Sequence, residues 1–214
     1  MKLKKIASLM LAGVMAVSML AGCSNGTKPD DGEKDPVVDS SLTGKVVAAL
    51  DTEGITFSAN TSLQNALEKV VKNVGVDVSS ITLSDLTEID PDLVGDGTLN
   101  PVQGTGNEGV KAAAEKDSKS DSYSAVIATG LTAGADEDYI ATQIAKAIDD
   151  NIDNYDLVEP EKSITYTFEQ NDFHYDFEYT GDVAVAKVTD AVTGVTSYVA
   201  VYTITRTATK VVEA

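Results

Sequence analysis

A mixed α+β domain, helices first and antiparallel strands last, is the fold expected of this chain. Two segments, 62–74 and 136–152, repeat apolar residues at helical spacing between helix-starting and helix-stopping residues. The last third alternates aromatic and polar side chains with the period of two of a half-buried strand. Helical patterns dominate the first two thirds and strand patterns the last, which is the segregation of the α+β class.

The elements follow in order. Leu42, Val46 and Leu50 share one side of a short helix, with Gly54 after it. In TSLQNALEKVVKNVG, Thr61 and Gln64 have capping-box spacing, Leu63, Leu67, Val70, Val71 and Val74 line one face, and Gly75 stops the run. Residues 76–94 are ambiguous between helix and strand. Residues 95–108, GDGTLNPVQGTGNE, are Gly-rich and polar, as in a loop or a subdomain boundary. A small Ala-rich helix is expected near 110–116 and a strand at 122–129, SYSAVIAT. The helix at 136–152 then places Ile140, Ile144, Ala147, Ile148 and Ile152 on one face, with Asp136, Glu137 and Asp138 in its first turn, favourable to the helix dipole.

In SITYTFEQNDFHYDFEYT, Ile164, Tyr166 and Phe168 alternate with polar residues, as do Phe173, Tyr175, Phe177 and Tyr179. A turn at Gln170-Asn171 pairs Phe168 with Phe173, Tyr166 with Tyr175 and Ile164 with Phe177. Gly181-Asp182 suits a second tight turn, setting Tyr179 opposite Ala184. A third, at Val192-Thr193-Gly194, sets Val188 opposite Tyr198. The expected product is a four-stranded antiparallel meander whose aromatic face packs on the helix at 136–152.

The amino terminus carries a different signal. Lys2, Lys4 and Lys5 precede an uncharged run from Ile6 to Gly22, and the run ends in Leu20-Ala21-Gly22-Cys23, the only cysteine of 214 residues. A basic start, an apolar stretch too short to be a typical span, two small residues and a cysteine resemble the signal and lipobox of bacterial lipoproteins. That resemblance implies removal of residues 1–22, acylation of Cys23 and a chain lipid-anchored to a membrane, facing away from the cytoplasm. With no second cysteine the domain forms no internal disulfide, so burial must stabilise it. Residues 23–40, rich in Pro, Gly, Asp and Ser, are expected as a flexible tether, leaving 41–214 as the α+β domain. Such a tether spans on the order of 20 to 25 Å.

Charge narrows the partners. The chain carries 16 basic and 34 acidic residues, and removing three signal lysines leaves 13 against 34, a net of −21. Nucleic acid and anionic membrane surfaces repel such a body, so the lipid on Cys23 is the expected attachment.

Specific chemistry is sparse. His174, the only histidine, falls on the polar face between Asp172 and Asp176, as an exposed strand residue. Five of eight tyrosines lie between 163 and 206, on the face expected to form core. No acidic pair is singled out by spacing. Residues 92–103, DLVGDGTLNPVQ, resemble the calcium loop of EF-hand and dockerin modules through Asp92, Asp96, Gly97, Leu99 and Asn100. Val94 and Gln103 depart from that pattern at two ligand positions, so no metal or other cofactor is expected. The expected function is a non-enzymatic binding or interaction module of the cell envelope with a protein or glycan ligand. The alternatives are a carboxylate-dependent envelope hydrolase and a small solute-binding component.

Overall fold

The computed structural model of the chain describes residues 37–93, 118–129, 135–155, 163–168 and 171–211. The chain divides into two units, 1–33 and 34–214, and all described residues belong to the second. Cys23, the 95–108 loop and the 110–116 helix therefore lie outside them. The class is α+β, as expected. The elements in order are β1 (Val37–Asp39), α1 (Leu42–Ala49), β2 (Ile55–Ala59), α2 (Thr61–Val74), a 3₁₀ turn (Val78–Ser80), α3 (Leu83–Ile89), β3 (Ser118–Thr129), α4 (Glu137–Asn154), β4 (Ser163–Phe168), β5 (Asn171–Thr189) and β6 (Thr196–Val211).

The sheet is organised around β5. One edge pairs antiparallel with β6, from His174 opposite Val211 to Thr189 opposite Thr196. The outer edge of β6 pairs antiparallel with β3. Three short strands share the other edge of β5: β4 opposite Asn171–Asp176, β2 in parallel opposite Tyr179–Val183, and β1 opposite Lys187–Thr189. Residues 37–39, expected in the tether, are thus part of the sheet. Between β2 and β1, side chains take over the pairing. Val185 N donates to Thr43 Oγ1 at 3.0 Å and to Gln64 Oε1 at 3.2 Å, while Gln64 Nε2 donates to Val185 O at 3.1 Å. A buried strand edge without such partners would leave its amides unsatisfied.

Helices cover both faces of the sheet. On one face α1 and α4 pack Leu42, Val46, Ile140, Ile144, Ile148 and Ile152 against Tyr175, Phe177, Tyr179, Tyr198 and Tyr202. From Tyr175 to Tyr179 the aromatic face is therefore core, packed on the expected helix, while the side chains of Ile164, Tyr166, Phe168 and Phe173 lie outside those described. Tyr202 Oη reaches Asn151 Oδ1 of α4 at 2.5 Å. Burial, then Tyr123 beside it, pushes the Tyr202 phenol well above its usual range. Lys45 of α1 meets Glu137 at 3.0 Å and Asp138 at 2.9 Å. On the opposite face α2, the 3₁₀ turn and α3 pack Leu63, Leu67, Val70, Val71 and Leu86 against Ala184, Ala186, Val188, Val199 and Val201.

The caps differ from the expected ones in one helix. In α2, Asn60 caps by accepting from Leu63 N at 3.0 Å, so Thr61 opens the helix instead of capping it. In α4, Asp136 accepts from Asp138 N at 2.8 Å and the acidic first turn stands as expected. Inside the unassigned stretch 76–94, α3 starts at a capping box of Thr82 and Asp85.

Register departs from expectation at three places. Phe168 faces Asn171 and Tyr166 faces Phe173, a shift of two residues that preserves the alternation of β5. No turn occurs at Gly181-Asp182: β5 runs straight through, so three strands, short β4 and long β5 and β6, replace the four expected in the C-terminal meander. Gly181 serves a close approach instead, since a Cβ there would lie 2.2 Å from Cδ1 of Phe57 on β2. Lastly, Tyr198 faces Lys187 and Val188 faces Ser197, one residue from the expected register. Val188 and Tyr198 consequently lie on opposite faces. The connection is six residues, closed by Asp190, whose N donates to Val195 O at 2.8 Å and whose Oδ1 accepts from Val192 N and Thr193 N at 2.9 and 2.6 Å. The bonds from Thr193, then that from Val192, hold the Asp190 carboxyl below its usual range.

Candidate functional site

The α2–α3 layer covers only part of its face. Along β5, Val188, Ala186 and Ala184 are buried beneath it, Asp182 is half-buried, and Thr180, Glu178 and Asp176 are exposed. The same boundary crosses β6, from buried Val199 and Val201 to half-buried Thr205 and Thr207 and exposed Thr209. The open half of this face is built from alternating strand sequence. Thr203, Thr205, Thr207 and Thr209 of β6 stand opposite Ser124, Ser122, Ser120 and Ser118 of β3. Hydroxyl pairs bridge the strands at 2.7 Å (Ser124–Thr203), 2.9 Å (Ser122–Thr205) and 2.9 Å (Ser120–Thr207). Period-two alternation puts every one of these positions on one face.

A cleft of about 350 Å³ opens where the helical layer ends and the hydroxyl-bearing face begins. Its floor is Asp182 of β5, Thr203 and Thr205 of β6 and Ser122 of β3. Its rim is Asn60, the cap of α2, with Asp92 and its neighbours Pro91 and Leu93 just past α3. Asp182 Oδ1 accepts from Ser58 Oγ of β2 at 3.1 Å, which holds the carboxylate on this face. The Asn60 oxygen is engaged in capping, so its amide nitrogen is the end left for a ligand.

The expected candidates distribute unevenly. Asp92 is at the cleft, exposed, its N donating to Asp90 Oδ1 at 3.1 Å. Asp96 and Asn100, with Val94 and Gln103, lie outside the described residues, as does Cys23. Among the described residues no three His, Cys, Asp or Glu side chains gather as a metal site. His174 is half-buried on the polar face, its Nδ1 2.8 Å from Thr165 Oγ1. Among the described residues no helix is long and apolar enough to cross a membrane.

Asp182, Ser122, Thr203 and Thr205 were not singled out by sequence reasoning. The available signal was the pair of runs S-x-S-x-S-x-S at 118–124 and T-x-T-x-T-x-T at 203–209, which on strands must each present one hydroxyl-bearing face. No protein-family model, curated protein or solved structure matches the chain.

Proposed function

We propose that the chain is an exported lipoprotein, anchored through Cys23, that acts as a non-enzymatic binding module of the cell envelope with its ligand seated in the cleft over Asp182, Thr203 and Thr205. The observation that carries the binding reading is a concave site of about 350 Å³ floored by rigid strands and lined mainly by hydroxyl, amide and carboxylate groups. The anchor rests on Leu20-Ala21-Gly22-Cys23 after the basic and apolar stretches. A polar lining of this kind suits a hydroxylated ligand such as a glycan, whose groups both donate and accept hydrogen bonds.

Retention on isolated cell-wall glycan tests the reading. The processed chain should be retained, Asp182→Asn and Thr205→Val should each weaken retention, and Cys23→Ser should lose lipid labelling without losing glycan retention. Equal retention of the cleft variants would refute the site. The second reading, a carboxylate-dependent hydrolase, is favoured by one observation: Asp92 and Asp182 line the same cleft. Release of new reducing ends that stops in both Asp92→Asn and Asp182→Asn would select it over pure binding.

A further inference from the structure

Resting on the cleft as the ligand site, we infer that its ligand is an amino sugar: a glycan unit carrying a protonated amine, seated against Asp182. Hydrogen-bond capacity points this way. The Ser122 and Thr205 hydroxyls of the floor are already joined as a pair. A pair joined by one bond keeps one donor against three acceptor lone pairs. Asp182 and Asp92 add carboxylates, which only accept, and Ser58 occupies one Asp182 oxygen at 3.1 Å. Against these acceptors stands the Asn60 amide. The cleft is therefore acceptor-rich, and an ammonium, with three donors and no acceptor, is the group that redresses it.

Charge agrees with the count. Among the described residues no Lys, Arg or His lines the cleft. The row of β5 positions running from it carries Thr180, Glu178 and Asp176. The flanking hydroxyls favour a sugar over a lysine side chain, because they both donate and accept, as sugar hydroxyls do, whereas an ammonium on an alkyl stem brings them no acceptor. Among the described lining residues only Pro91 and Leu93 are apolar. Hydroxyl groups at the rows' spacing, about 4.8 Å between strands and about 6.7 Å along them, can continue such contacts over neighbouring sugar units.

Titration calorimetry of the full, processed chain tests the inference, with a glucosamine hexamer and its fully N-acetylated counterpart as probes at a pH where the free amines are protonated. The amine-bearing oligomer should bind at least tenfold more tightly. Asp182→Asn should bring the two within about twofold, and Thr205→Val should weaken both. Because the chain is strongly acidic, Glu53→Gln, the same charge change at an exposed position outside the cleft lining, should leave the preference intact. Equal affinity for the two oligomers overturns the inference while leaving a glycan cleft standing. So does oligolysine binding as tightly as the glucosamine oligomer with the same loss in Asp182→Asn, since that outcome is peptide or bulk-charge recognition. Binding of neither oligomer also overturns it, and retention on wall glycan then decides the cleft reading separately.

Discussion

The gap between β2 and β1 is closed by two side chains, and their redundancy sets a measurable coupling. Thr43 is 6% exposed, and its Oγ1 accepts from Val185 N while lying 2.8 Å from Gln64 Oε1 and 3.3 Å from Val185 O. Gln64 offers Val185 N a second acceptor at 3.2 Å and Val185 O a donor at 3.1 Å. Thr43→Val keeps the shape and leaves Gln64 in place, so it should cost about 1 kcal/mol, the net worth of an ordinary hydrogen bond. Gln64→Leu should likewise cost about 1 kcal/mol, since Thr43 still serves the amide. The double variant leaves a strand amide and a carbonyl buried without partners, at about 1 to 3 kcal/mol for each group. It should therefore cost about 3 to 4 kcal/mol, exceeding the sum of the singles by at least about 1 kcal/mol. Urea unfolding of the four proteins with unchanged m-values measures this. Additivity within about 0.5 kcal/mol would refute the view that these two residues substitute for a missing strand.

Three further outcomes follow from the same structure. Tyr175→Ala, at a fully buried aromatic, should cost about 3 kcal/mol, while His174→Ala next to it should cost under about 1 kcal/mol; similar urea midpoints would mean the faces of β5 are misassigned. Gly181→Ala should destabilise by about 1 to 2 kcal/mol through the Phe57 ring, and combining it with Phe57→Ala should cost clearly less than the sum of the singles, an outcome a turn glycine would not give. Asp190, whose carboxyl is held low by the amides of Val192 and Thr193, contributes stability present above its unfolded value near 3.8 and lost as pH falls through its lower folded value. The melting-temperature gap between the wild-type chain and Asp190→Ala should hence be widest above about pH 5 and narrow toward about pH 2, and a gap independent of pH would contradict the turn's chemistry.

Where local chemistry decides structure, the sequence was sufficient. The isoleucine stripe of α4, the leucine and valine stripe of α2 and the aromatic alternation of β5 each bury the face their period marks. Which face a strand residue takes was legible only where one face is polar, and even there the β4–β5 pairing slipped by two residues. Along the first half of β5 a one-residue slip would bury Asp176 and Glu178, so the aromatic face held. Toward the β5–β6 turn both faces are buried, alternation gives no preference, and the hydrogen bonds of Asp190 set the pairing instead. Gly181 misled because glycine marks both turns and close approaches, and only Phe57, 124 positions earlier in the chain, tells which. The short strands β1 and β2 escaped notice because three and five residues carry little periodicity. The cleft assembles residues from β3, β5, β6, the α2 cap and the end of α3, a convergence no local pattern contains.

Backbone amide shift mapping of the full chain titrated with soluble fragments of cell-wall glycan tests the central claim most directly. The largest changes should fall at Asn60, Asp92, Leu93, Ser122, Asp182, Thr203 and Thr205, with smaller ones continuing to Thr180 and Thr207 along the open face. Changes centred elsewhere, at exposed Tyr139 and Tyr155 by α4 or in the Asp190–Val195 turn, would contradict the cleft as the binding site.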